Sequence, residues 1–310
     1  NWNMIYSFPN KTIDVVLVGE VLIDIIHKES LNQYQTVVGG SPFNICKNLT
    51  KIGMKNTFYG AIGNDLYGDQ ILEEIKLKKI DAVLNRVDLS TSYVKVNQTL
   101  DSPNSEFYRG ADNYIYLTDN LITDISFSKI LHFTFWPLSK EPSLSTMLSL
   151  VDKAKANQTL IGFDPNYHPK LDDEKKTGLQ AIKDIISKAD IIKPSLDDAE
   201  RLFGKKNINE YLDLYESLGP KLIILTLGKN GLIARFNGQT LKMPTMAIEV
   251  VDATGAGDAF WSGLYAGLTS CLSIKDSLKL GLFCSAENLK YIGSDVELPK
   301  YEDLVNSIRR

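Results

Sequence analysis

The chain has 310 residues, 44% hydrophobic and 23% charged, enough for a sizeable core in one large or two ordinary soluble domains. Its net charge of −4 leaves no basic excess to neutralise nucleic-acid phosphates or an anionic membrane surface, so neither partner is expected. Cys46, Cys271 and Cys284 are odd in number, widely spaced and set among apolar residues, which reads as reduced core thiols, not a disulfide frame or metal site, in a cytoplasmic protein.

No apolar run approaches membrane-spanning length, and the first ten residues lack a signal-peptide pattern. In chain order, β-branched apolar runs at 13–19, 57–62, 130–135, 159–164, 189–193 and 221–227 read as strands. Between them, 42–52, 69–79, 142–156, 178–188 and 197–203 carry helix-compatible spacing. Ser41-Pro42 reads as a cap residue followed by a first-turn proline, and Gly53 as the stop. Strands alternating with helices imply an α/β fold, a mostly parallel sheet covered on both faces. One region breaks the alternation. Strands at 92–98 and 106–117, joined by a turn at Asp101-Ser102-Pro103-Asn104, have no helix between them, and another strand falls within 22–38. These segments predict a small β-sheet lid, with a plain edge hairpin as the alternative. Nothing resembles a repeat or a Pro/Gly/Ser-rich linker, so residues 1–310 are expected to form one domain with the lid, 22–38 and 92–117, inserted into it.

The chemistry concentrates in Asp252-Ala253-Thr254-Gly255-Ala256-Gly257-Asp258, which leads into an apolar run that reads as a buried helix. Gly255, Ala256 and Gly257 leave their N–H groups open to a ligand at a helix N-terminus, where orphan donors and the dipole favour an anion. Asp258 beside such a site suits a base that takes a proton from a hydroxyl attacking phosphorus; the bland alternative is a turn capped by Asp. Upstream, Gly39-Gly40-Ser41-Pro42-Phe43-Asn44 allows a ligand close to backbone, with Asn44 offering a donor and an acceptor. Asp24 sits inside an apolar run, where an unpaired carboxylate is expensive, and is a candidate for sugar hydroxyls.

With both glycine motifs present, the chain resembles the ribokinase-like (PfkB) carbohydrate kinases over essentially its whole length. Gly39-Gly40 and Asn44, followed by Gly53 and Gly63, match the family's N-terminal signature, and residues 252–258 its C-terminal one. The resemblance implies a Rossmann-like core with a β-sheet lid. It implies Asp258 as general base, the N–H groups of Gly255 to Gly257 as anion hole, and Asp24, Gly39, Gly40 and Asn44 around the sugar. Thr226, Gly228 and Gly231 would line ATP, and Asp252 and Thr254, with the carbonyl of Gly293, would hold a monovalent cation such as K⁺. No Walker A lysine is present, so phosphate recognition falls to backbone donors and Mg²⁺.

Departures from the family pattern bear on the metal and the substrate. Ser195 and Asp198 replace the Asn and Glu of the N-x-x-E pair that organises magnesium and phosphate beside the nucleotide; they make an equally good helix N-terminus. Asp164-Pro165-Asn166-Tyr167-His168 is similar to a substrate-binding segment of fructokinases and 2-keto-3-deoxygluconate kinases, with His168 in place of Arg. Phe135 or Trp136 is placed to stack on a sugar, and Arg109 in the lid to meet a carboxylate unless it is a surface charge. A fructokinase-like ketose kinase is expected. The alternatives are a 2-keto-3-deoxygluconate kinase, a nucleoside kinase of the same family, or a non-catalytic sugar or nucleotide sensor. A homodimer formed through the lid is also left open.

Overall fold

The computed structural model describes residues 1–98, 104–172, 175–250, 253–293 and 295–310. The chain runs β1 (Ile13–Val18), β2 (Leu22–Lys28), β3 (Gln33–Gly39), α1 (Ser41–Ile52), β4 (Asn56–Gly63), α2 (Leu66–Lys78), β5 (Ala82–Val87), β6 (Tyr93–Gln98) and β7 (Asn104–Tyr108). It continues through α3 (Asp119–Phe127), β8 (Ser128–Thr134), α4 (Ser143–Ala156), β9 (Leu160–Asp164), α5 (Lys175–Ile186), β10 (Ile191–Ile192), α6 (Leu196–Phe203) and α7 (Ile208–Leu218). Last come β11 (Leu222–Thr226), β12 (Leu232–Phe236), β13 (Gln239–Met243), α8 (Ala256–Thr269), α9 (Ile274–Leu289) and α10 (Tyr301–Ile308).

A nine-stranded sheet has the order β13-β12-β11-β10-β9-β8-β1-β4-β5. It is parallel from β5 to β11, and only β12 runs against its neighbours. Strand periodicity sends alternate residues to opposite faces. Thus Val16 and Val18 enter a core with α3, α4, α5 and α7, while Val15 and Leu17 enter one with α1, α2, α8 and α9. Covering both faces explains why β4 is buried at every position and reads as one apolar run. The polar motifs Gly19-Glu20, Asp164-Pro165, Lys193-Pro194 and Thr226-Leu227 all follow carboxyl ends of these strands, where such sheets bind ligands.

The second sheet has four strands in the order β3-β2-β6-β7. The expected region 22–38 holds two strands, β2 and β3, paired antiparallel with Asp24 opposite Val37. The turn expected at 101–104 lies, except for Asn104, outside the described residues. The strand expected over 106–117 is shorter than anticipated. β7 ends at Tyr108, because Gly110 packs against the Ser90 carbonyl and the chain turns into a short 3₁₀ segment at Ala111–Asn113. Cys46 and Cys284 are core thiols as expected, but Cys271 is exposed, because it falls in the turn after α8 at φ 62°. No described helix is long and apolar enough to cross a membrane.

Candidate active site

Helix α8 begins at Ala256 after Gly255, which adopts φ 81° and ψ 0°, a left-handed turn that suits glycine. The N-cap residue, Gly255, has no side chain with which to cap this helix start. The N–H groups of its first turn have no intrahelical acceptors and present a positive dipole end. Asp258 sits in this turn, half-buried. Ser41 Oγ donates to its Oδ1 at 2.6 Å, and Asn44 Nδ2 donates to its Oδ2 at 3.1 Å. Burial pushes the Asp258 carboxyl up to about 6; the bonds from Ser41 and Asn44 and the charge of Lys193 oppose that rise, and Asp164 adds to it.

The first turn of α1 lies against this carboxylate. Gly40, at φ 104°, is the N-cap of α1, and a Cβ there would strike the Glu20 carbonyl. A Cβ on Gly39 would strike the Asp24 carboxylate. Ser41 is therefore not the cap read from the sequence: it is the first helical residue, and its hydroxyl crosses to Asp258 instead of bonding its own backbone. Asn44 is buried, with Oδ1 lacking a partner among the described residues. Nearby, burial first and the Asp258 charge second push Asp24 up to about 7, and burial pushes Glu20 up to about 8. These are the acceptors and weak acids a polyhydroxylated ligand needs.

Arg109 is internally matched. It donates to Asp112 at 2.6 Å and to Ser139 Oγ at 2.7 Å, and stacks 5.3 Å from the Trp136 ring centre. Trp136 Nε1 also bonds Asp112, at 2.7 Å, and Phe135 packs against Tyr167; both aromatics are buried in the same apolar core, so neither stands open for stacking on a sugar. After β9, Asp164 accepts from Trp261 Nε1 at 2.8 Å. Asn166 is exposed in a left-handed conformation, at φ 33°. His168 is held below its usual range by burial and by Lys170 and Arg201, and its ring packs edge-on to Phe107 of β7.

On the other side of Asp258, a cavity of about 580 Å³ is lined by Thr226, Gly228 and Gly231, by Gly257 and Phe260 of α8, and by Leu282 and Leu289 of α9. Its size and apolar walls suit a nucleotide base and sugar. Lys193, which the sequence marks only as part of a polar motif at a strand end and to which it gives no role, also lines it. Lys193 is buried, 3.6 Å from Asp164 Oδ2, and its Nζ lies 3.5 Å from where a Cβ on Gly257 would stand. A lysine ending the apolar run Ile191-Ile192 was the available signal. Ser195 and Asp198 form a reciprocal capping box on α6 at 3.1 Å each way, and Asp198 also accepts from the Tyr167 N–H. Burial, then Asp164, raises the Asp198 carboxyl.

Asp252 lies outside the described residues. Asn288 Nδ2 donates to the Thr254 carbonyl at 2.7 Å, while its own buried Oδ1 has no partner among the described residues. Gly293 follows α9 at φ 84°, and the next segment is anchored by Lys51, which bonds Asp295 and the Val296 carbonyl at 2.6 Å each. No cluster of three metal-ligating side chains occurs among the described residues.

A helix start after a left-handed glycine, beside an apolar nucleotide-sized cavity and close to the carboxylates Asp258, Asp24 and Glu20, suits a phosphotransferase that acts on hydroxyl groups. Residues 12–300 match the pfkB family carbohydrate kinase model, and the chain belongs to that family: it is a sugar kinase. It is 42% identical, over 98% of its length and 96% of the relative's, to the ATP-dependent 6-phosphofructokinase of Thermoanaerobacterium thermosaccharolyticum. The fructokinase structure of Halothermothrix orenii superposes with TM-score 0.76 at 34% identity, covering 87% of this chain and 97% of that one. A Vibrio cholerae fructokinase bound to fructose, ADP and calcium superposes with TM-score 0.83 at 26% identity, covering 94% and 97%. Membership implies ATP and a divalent metal, and the ribokinase-like fold with its smaller sheet is as expected from the sequence.

Proposed function

We propose that this kinase phosphorylates an unphosphorylated ketose, fructose foremost, with Asp258 as the general base. The observation that carries this reading is the Asp258 carboxylate in the first turn of α8, bonded by Ser41 and Asn44 of α1 and one residue from Gly257, which lines the nucleotide-sized cavity. Asp258 takes the proton of the sugar hydroxyl as that oxygen forms its bond to the γ-phosphorus. The bond from phosphorus to the β,γ-bridging oxygen breaks, and ADP leaves with that electron pair. The N–H groups of Gly255, Ala256 and Gly257 face the oxygens on which charge develops, and Lys193 adds a fixed positive charge beside them. Asp24, Gly39, Gly40 and Asn44 hold the sugar, with Asp164, Asn166 and Arg109 at its far end. Asn44 Oδ1 is a ready acceptor for a sugar hydroxyl.

Thr226, Gly228 and Gly231 follow the nucleotide. Mg²⁺, when bound, neutralises phosphate charge. Asp198, occupied by backbone donors, suits contact through water, and Ser195 positions it. Asp252, Thr254 and Gly293 would hold K⁺, for which the unpartnered acceptor of Asn288 is the supporting observation. The sheet β3-β2-β6-β7 closes over the sugar as a lid on a single domain. A homodimer through that lid and a cytoplasmic location complete the reading.

A second reading, phosphorylation of fructose 6-phosphate, is favoured by the 42% identity to a 6-phosphofructokinase. Against it, the cations at the far end are engaged: Arg109 by Asp112, Lys170 by the Ser105 carbonyl at 2.7 Å. ADP release with ATP·Mg²⁺ would be measured for fructose, fructose 6-phosphate, 2-keto-3-deoxygluconate, adenosine and guanosine, in K⁺ and in Na⁺. The highest kcat/KM for fructose, raised by K⁺, is expected. Preference for fructose 6-phosphate or a nucleoside would replace the substrate assignment, and equal rates in both salts would remove the K⁺ site.

A further inference from the structure

A serine at a helix start normally turns its hydroxyl to the backbone N–H groups of the first turn. Ser41 does not. Gly40 occupies the cap position without any side-chain cap, and Pro42 removes one N–H of that turn. The hydroxyl is aimed across the cleft at a residue 217 positions away, at 2.6 Å from Asp258 Oδ1. Asn44, one turn further along α1, covers the other oxygen at 3.1 Å. Both oxygens of the carboxylate are thus engaged by α1, and Oδ1 by a group of the same chemical type as the proposed substrate: an alcohol donating a hydrogen bond to the base.

We propose that Ser41 guards the base, holding Asp258 Oδ1 until a sugar hydroxyl takes its place. The inference rests on Asp258 being the base. Its consequence concerns water. In the sugar-free complex with ATP, a water at Asp258 would lose a proton to the carboxylate and form a bond to the γ-phosphorus. The bond to ADP would break, releasing inorganic phosphate and wasting the nucleotide. A hydroxyl tethered to α1 occupies the carboxylate that such a water would use, while a sugar bound on the same turn through Asn44 and Gly40 can displace it. Ser41 is therefore a positioning residue that acts through Asp258 and selects sugar over water.

The test compares wild type, Ser41→Ala and Ser41→Thr for fructose phosphorylation and for ATP hydrolysis without sugar, with pH profiles of both kcat and kcat/KM. Ser41→Ala should raise the ratio of sugar-free hydrolysis to sugar phosphorylation about tenfold, the worth of one charge-assisted hydrogen bond. Losing that bond disfavours the ionised carboxylate in the free enzyme. The acid limb of kcat/KM should therefore move up by about one pH unit, while that of kcat, which reports the sugar complex, stays in place. Ser41→Thr, which keeps the hydroxyl, should restore the low ratio. A damaged helix start would lower both rates without moving either limb. An unchanged ratio and unchanged limbs in Ser41→Ala, with Asp258→Asn inactive, would overturn the guard and leave the base assignment standing. An active Asp258→Asn would overturn the base assignment itself.

Discussion

Replacing Lys193 with Met separates its structural role from its part in phosphoryl transfer. Its ammonium lies 3.6 Å from Asp164 Oδ2 and sits beside Gly257 in the first turn of α8. At such range, two unit charges in a medium of effective permittivity near 20 interact by about 4 kcal/mol. Removing one preorganised positive group from a site of developing negative charge costs about 2.7–4 kcal/mol, a loss of about 10²–10³-fold in kcat. Folding suffers separately, since an uncompensated buried carboxylate costs roughly 3–5 kcal/mol. Trp261 Nε1 still donates to Asp164 at 2.8 Å, which places the stability loss at the low end of that range. Thermal melting and steady-state ADP release on Lys193→Met, alongside Lys193→Met/Asp164→Asn, divide the two effects. The single variant should melt early and be slow; the double variant should recover stability but not rate. A Lys193→Met protein that folds and keeps kcat within a few-fold of wild type would refute the electrostatic role.

Three further outcomes follow from the geometry. Because burial lifts Asp258 to about 6, kcat/KM for the sugar should fall about tenfold per pH unit below that value as the base becomes protonated; a flat profile between pH 6 and pH 5 would contradict it. Gly40→Ala should lose sugar phosphorylation and melt at lower temperature, because φ 104° strains any side chain and the added Cβ meets the Glu20 carbonyl; an unchanged KM and melting point would count against the close approach. Amide exchange in β2, β3, β6 and β7 should slow when sugar binds; protection confined to the Asp258 turn would make the small sheet a static edge.

The parts of the fold legible in sequence are those whose burial leaves a simple pattern. Strands β1, β4, β8, β9 and β11, in the middle of the large sheet, are covered on both faces and read as apolar runs. Strands β5 and β13 escaped notice because they are the sheet edges, where Asn85, Arg86, Gln239 and Lys242 face partly to solvent and blur the period. The small sheet was legible as a break in α/β alternation, but its last strand was drawn too long. Gly110 stops the strand through a tertiary contact with Ser90, which no local pattern announces. At the site, Asp24, Gly39, Gly40, Asn44 and Asp258 stood out because glycine-rich helix entries and carboxylates in apolar runs are unusual locally, and they do converge. Ser41 and Lys193 did not stand out. One looks like an ordinary cap and the other like a strand-end lysine, and each acquires meaning only from a partner distant in sequence, Asp258 or Asp164.

The central claim, that Asp258 removes the proton of the sugar hydroxyl, is tested most directly by single-turnover phosphorylation of fructose by Asp258→Asn. Nucleotide and sugar affinities would be measured in the same preparation. The amide keeps the side chain's size and an acceptor for Ser41, but it cannot take a proton at neutral pH. The expected result is a loss of about 10²–10⁴-fold or more in the chemical step, with ATP and fructose still bound. A variant that binds both ligands and phosphorylates fructose at close to the wild-type rate would contradict the account.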